Sequence, residues 1–153
     1  MKNELTVLTQ LRAVIDAGLN PVQTPSETRD TTPAETIPVV IEFPSVDKMP
    51  ARNVVYLLPD YAEYETLATT NDRANFRVSI FILCKRAPMS DLVTKVYQIF
   101  NDIYDLLRKD MDLSGVVDFT EVQNASFYPA VEMNQNVQGI EASVAISYTK
   151  DFE

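Results

Sequence analysis

The sequence predicts an α+β fold: one mixed, mainly antiparallel β-sheet with two helices packed on one face, in the order α-β-β-β-α-β-β. Three observations carry this. The stretch NFRVSIFILCKR, residues 75–86, alternates like a strand, and LVTKVYQIFNDIYDLLRK, residues 92–109, repeats like a long helix. Residues 4–18 repeat like a shorter helix. Near the end of the chain, Ile140, Ala142, Val144, Ile146 and Tyr148 alternate with Glu141, Ser143, Ala145, Ser147 and Thr149. One face is apolar and the other small and polar, as in a sheet with helices on one side only.

At 153 residues, a single domain spanning 1–153 is expected. A hydrophobic content of 46% supplies a core, and 23% charged residues is ordinary for a folded chain. The net charge is −9, and the nearest thing to a basic cluster is Lys85-Arg86. Gripping a phosphate backbone takes clustered Lys and Arg, so specific nucleic-acid binding is not expected. The acidic balance fits solubility, or a surface that DNA passes without sticking. Cys84 is the sole cysteine, which rules out an internal disulfide; within an apolar strand it reads as a small buried hydrophobe. There is no histidine, so the commonest general base and metal ligand is missing. No stretch is long enough to span a membrane, and the N-terminus lacks a signal-peptide core. Synthesis in a reducing cytoplasm is expected.

Taken in order, the first helix places Leu5, Leu8, Leu11 and Ile15 at three- and four-residue steps, with Val7 and Val14 alongside and Gly18 as a stop. Residues 20–37 hold Pro21, Pro25 and Pro33 among Thr, Ser and Glu and show no periodicity, so a flexible loop is expected, the alternative being an arm that orders against a neighbouring subunit. PVVIEF, residues 38–43, is a first strand, and Pro44 and Pro50 suggest that it lies at an edge or a bulge. NVVYLL, residues 53–58, is a second strand that forms a hairpin with 75–86. The connection 59–72 is expected as a loop whose tip carries Tyr61, Tyr64 and Leu67. Two readings of these tyrosines stand: they supply amphipathic area to an interface, or they fold back onto their own sheet.

On the long strand, Phe76, Val78, Ile80, Ile82 and Cys84 share one apolar face, and Arg77, Ser79, Phe81, Leu83 and Lys85 share the other. The second face is apolar in its middle, which implies a central strand partly covered by another element or another subunit. Ser90 is a plausible N-cap for the second helix, with Asp91 in its first turn. Leu92, Val96, Ile99, Ile103 and Leu106 form its core row, widened by Val93, Phe100 and Leu107. Tyr97 and Tyr104 sit at the polar border as core-edge packing. Residues 116–127 are expected extended, Pro129 and 134–136 turn the chain, and 137–152 is the last strand.

One motif concerns a metal. Asp110, Asp112, Ser114, Asp118 and Glu121, with Gly115 between them, match the spacing of an EF-hand calcium loop and follow a helix. Against it, a strand follows rather than a second helix, Pro129 leaves little room for one, and no second loop pairs with it. A capped helix end leading into a strand accounts for the same residues. Carboxylate pairs such as Glu63-Glu65 are what solvated faces produce freely, and no nucleophile–histidine pair can exist. No enzyme, cofactor or catalytic residue is expected.

The order of elements, with NFRVSIFILCKR, LVTKVYQIFNDIYDLL, a D-L-S-G-V-V turn and a long final strand, resembles the tail terminator (tail completion) proteins of long-tailed bacteriophages. The likeness runs from about residue 37 to 152 and rests on architecture rather than a diagnostic motif. It implies a structural virion protein at the head–tail junction, assembled as a hexameric ring on the last ring of the tail tube. It implies as partners other copies of the chain, the tail tube protein and a head-completion or connector protein, with DNA passing through the lumen and no membrane involved. Phe81 and Leu83 would then face a neighbouring subunit, and Tyr61, Tyr64 and Leu67 an adjacent ring. Another neck or tail component, such as a head-completion or tail-tube protein, and a non-viral cytosolic adaptor or binding domain are the alternatives.

Overall fold

A computed structural model describes residues 2–21, 36–45, 47–85, 89–128 and 137–151. Its elements are α1 (Glu4–Leu19), β1 (Val39–Val40), β2 (Asn53–Ala68), β3 (Asn71–Lys85), α2 (Met89–Lys109), β4 (Phe119–Tyr128) and β5 (Val137–Asp151). The strands form one sheet in the order β1-β2-β3-β5-β4. β1 runs parallel to β2, and every other pairing is antiparallel. This is the α+β architecture and element order that the sequence predicts.

The central strand is where the alternation placed it. Phe76, Val78, Ile80, Ile82 and Cys84 of β3 are buried, as are Ile140, Ala142, Val144, Ile146 and Tyr148 of β5. β3 and β5 pair from Asn71↔Asp151 to Lys85↔Val137, so their apolar faces form one continuous floor. Leu92, Val96, Ile99, Ile103 and Leu107 of α2 lie on that floor, together with Val7, Leu8, Leu11 and Ile15 of α1. Leu106 is only half-buried, and Leu107 carries the core row to the helix end.

Several local expectations are corrected. Leu5 does not join the buried row of α1; it is 69% exposed, and Val7 takes its place. Asn3 caps the helix, its Oδ1 accepting from Thr6 N at 2.9 Å, and Leu5 in the first turn lies exposed beside the β2 edge. Gly18 is not the stop. α1 runs through it to Leu19 and ends at Asn20, the residue before Pro21, whose ring disfavours a helical predecessor. Gly18 instead marks a close helix crossing, since an added Cβ would lie 2.5 Å from Leu106 Cδ2. The first strand shrinks from 38–43 to Val39–Val40 at the sheet edge. Ser90 lies inside α2, which begins at Met89.

The largest difference concerns 59–72. It is not a loop. β2 continues to Ala68 and β3 starts at Asn71, leaving only Thr69 and Thr70 as the turn. The ladder steps past Asp60, between Pro59 and Tyr61, as a bulge. Proline is tolerated there because β1 pairs only with Val55 and Tyr56, so the outer edge of β2 around Pro59 has no ladder bond to lose. β4 starts later than expected, at Phe119. Leu113, Ser114 and Gly115 before it take φ of 49°, 60° and 87°, a left-handed turn that ends the helical region.

Most of the expected flexible loop, 22–35, and the expected turn at Pro129 and 134–136 lie outside the described residues. The ends of the former are tied. Asn20 Nδ2 donates to the Ile37 carbonyl at 2.8 Å, and Ile37 N donates to Asn20 Oδ1 at 2.7 Å. Arg12 Nε adds a bond to the Val39 carbonyl at 2.9 Å, fixing β1 to α1.

The two leucines of α1 separate core from surface. Leu8→Ala is expected to lower unfolding stability by roughly 2–5 kcal/mol, as for a buried leucine. Leu5→Ala should stay within about 0.5 kcal/mol of the parent. Urea denaturation of both variants checks this.

Candidate functional site

The candidate interface residues divide between the two faces of the sheet. Tyr61 lies opposite Arg77 on the helix-free face, the face of Phe81 and Leu83. Tyr64 lies opposite Ala74 on the helix side. The bulge at Asp60 sets this arrangement, because one extra residue switches the side toward which every later residue points. Leu67 stands beside the turn and is 43% exposed. The sheet therefore brings Phe81, Leu83 and Tyr61 onto one surface and leaves Tyr64 on the other.

Tyr64 reaches back to its own helix layer while staying half exposed. Its hydroxyl donates to Glu4 Oε1 at the start of α1. Lys150 Nζ lies 3.4 Å from both Glu4 oxygens and 5.2 Å from the Tyr64 ring centroid. Burial alone would raise the Glu4 pKa. The Tyr64 hydroxyl, the backbone amide of Glu4, the nearby Tyr148 hydroxyl and the Lys150 charge outweigh it and hold the carboxyl at about 2. Tyr148 is fully buried, and its hydroxyl makes no hydrogen bond of good geometry. Burial, then the adjacent Glu4 carboxylate, push its pKa up. The cluster pins the first turn of α1 to β2 and β5. It is a structural clasp.

Phe81 and Leu83 are half-buried by their own chain. Phe81 lies between Tyr56 and Glu141, and Leu83 between Val54 and Gly139. Leu83 packs closely over Gly139, where an added Cβ would come within 2.9 Å of Leu83 Cδ2. Tyr56 is buried, and its hydroxyl donates to the Ser45 carbonyl at 3.3 Å, so the chain after β1 crosses this face. Part of the apolar surface that pointed to a partner is thus covered from within.

The calcium-loop residues serve the turn and the strand after it. Asp110 Oδ1 accepts from Ser114 N at 2.7 Å, and Asp110 Oδ2 from Ser114 Oγ at 3.0 Å. These bonds pull the Asp110 pKa down. Asp118 Oδ2 accepts from Thr149 Oγ1 at 3.2 Å, and Glu121 sits within β4 opposite Ala145. Among the described residues, no three acidic, cysteine or histidine side chains converge to hold a metal ion.

Sequence reasoning missed a second exposed apolar group. Phe119 and Phe127, at either end of β4, are 41% and 45% exposed. Tyr97 of α2 stacks on Phe127 with centroids 5.0 Å apart, and Tyr104 is exposed further along the helix. Tyr97 and Tyr104 do border the core, but they also continue an aromatic surface onto the outer strand. The signal was a pair of phenylalanines bracketing a polar strand, which no periodicity singles out.

No protein-family model matches the sequence, and no curated protein matches it. Among solved structures, the fold is similar to the sheath/tube terminator of an extracellular contractile injection system, PVC, in its extended state, with a TM-score of 0.50 and 11% identity. The match covers 99% of this chain and 58% of that one. At this identity the likeness is one of fold. Among the described residues, no helix is long and apolar enough to cross a membrane.

Two outcomes are expected. Glu4 has a folded pKa of about 2, below its ordinary 4.5, so its contribution is full above pH 4.5 and disappears as pH falls toward 2. A Glu4→Gln variant should therefore be less stable than the parent at pH 7, with the gap closing between pH 4.5 and 2 in denaturant titrations. Millimolar calcium should leave the melting temperature unchanged, because the Asp110 oxygens already accept from Ser114; a clear rise would show that the loop opens to take the ion.

Proposed function

We propose that this chain is a tail-terminator-type structural protein, which forms a ring on the end of a tube and ends its polymerisation. The observation that carries the reading is the fold shared along nearly the whole chain with a sheath/tube terminator. The sequence resemblance to phage tail terminators supports it independently, through element order alone.

On this reading the ring is a homohexamer, seated on the last ring of a tail tube and presenting its other side to a head-completion or connector protein. DNA passes through the lumen without specific contact. A net charge of −9 suits that role, since it repels the phosphate backbone. The chain carries out no reaction; it works by presenting surfaces and is not an enzyme. Its place is in the assembled particle, at the head–tail junction. A second reading is favoured by the neighbouring fold: the chain ends the tube and sheath of a contractile injection particle, and its far side meets no head.

Both readings require self-association into a closed ring. Size-exclusion chromatography with light scattering should give a species of six chain masses, and negative stain should show rings with a central hole. A chain that stays monomeric at every concentration, and forms no rings when tube ends are supplied, would contradict the proposal.

A further inference from the structure

The exposed large hydrophobic side chains are not scattered. Nine are described, and eight fall at the two lateral ends of the sheet. Leu5, Tyr61, Tyr64 and Leu67 lie on β2 or on the start of α1 beside it. Tyr97, Tyr104, Phe119 and Phe127 lie on β4 or on α2 beside it. Phe43 is the ninth.

Both ends are also open in their backbones. Among the described residues, β4 is the outermost strand and pairs only with β5 over its ten residues. β1 covers β2 only at Val55 and Tyr56, so among the described residues β2 is unpaired on its outer side from Leu57 to Ala68. A row of unpaired N–H and C=O groups calls for another extended backbone. β2 carries register shifts at Asp60 and Leu67 and β4 one at Gln123, and those at Asp60 and Gln123 both flank the rung of Val78 and Val144. β4 has no internal proline or lysine to blunt its edge.

The two ends fit each other. Strand directions alternate across β2, β3, β5 and β4, so β4 of one copy and β2 of the next, related by rotation about a ring axis, meet antiparallel. The helix layers then also meet, α2 of one copy beside α1 of the next. Tyr97, Asn101, Tyr104 and Arg108 recur at helical spacing along one side of α2. On the β2 side, a notch of about 320 Å³ opens between Leu5, Leu8, Pro59 and Tyr61, with Glu4 and Asp60 on its rim. An apolar notch with an acidic rim suits an aromatic row that ends in arginine.

From these features we infer that the open β2 edge of one copy docks on the open β4 edge of the next, joining their sheets head to tail across the subunit boundary. The occupant of the β4 edge is a second copy of this chain. This rests on the self-assembly proposed above and adds which edges meet. Such a contact is heterologous: each copy uses one edge to give and the other to receive, so the series closes into a ring when the rotation divides the circle.

Cysteine cross-linking tests it. Cys84 is fully buried, so introduced thiols react alone. Asp60→Cys and Gln123→Cys place a thiol at each exposed bulge, where strand pairing is already interrupted. With a flexible bis-maleimide, the double variant should give a covalent ladder from dimer upward, and each single variant none. If light scattering finds the parent oligomeric but the double variant cross-links no more than the singles, the edge assignment falls and the ring reading stands. Dimers from either single variant would mean like-edge pairing and also overturn it. A parent that is monomeric throughout would remove the ring reading, and the inference with it.

Discussion

The fold depends on the antiparallel pairing of β3 with β5. Their ladder runs unbroken from Asn71↔Asp151 to Lys85↔Val137, and from Ala74↔Tyr148 to Ile82↔Ile140 every second rung is apolar on the helix side. A slip of one residue would turn Phe76, Val78, Ile80 and Ile82 to the other face, so core burial fixes the register. Both helices lie on the floor this pair makes, and β2 and β4 pair outward from it. β1 is a two-residue addition, held by Arg12 and by the Asn20–Ile37 bonds.

A sheet built outward from its centre leaves its constraints weakest at the sides. The central strands have a partner on each side, whereas among the described residues β2 and β4 each keep an open edge. Apolar side chains at those edges cannot reach the single core, which lies under β3 and β5, and they remain exposed. In a protein that acts alone this would be an aggregation hazard. In a protein that closes into a ring, the same two edges consume each other and none is left over. The open edges and the apolar side chains beside them are the surfaces that the proposed assembly would use.

The core was legible because its patterns are strong. Phe76 to Cys84 and Ile140 to Tyr148 alternate over five positions each, and α2 holds a broad apolar row. The edges were not. Beyond Leu58 a proline and a run of acids look like a loop, because strand signals come from burial and this half of β2 is not buried. Its strand character is supplied by β3, which pairs with it across the sheet. Leu5 and Gly18 misled for a related reason. Periodicity gives a helix face to within about one residue, and only the Asn3 cap and the Leu106 crossing decide which residues fall on it. Phe81 and Leu83 were rightly separated from the core face, but the chain after β1 covers part of them, and that crossing leaves no trace in the alternation. Tyr61 and Tyr64 are three residues apart, so a strand puts them on opposite faces, and the bulge at Asp60 decides which of them faces the helices.

Hydrogen–deuterium exchange on dilute and concentrated samples tests the central claim, that the open edges are the assembly surfaces. Residues 57–68 and 119–128 should gain protection as the oligomer forms, while 71–85 and 139–147, already paired on both sides, should change little. Oligomers whose new protection falls elsewhere, with both edges still exchanging as in the dilute chain, would contradict it.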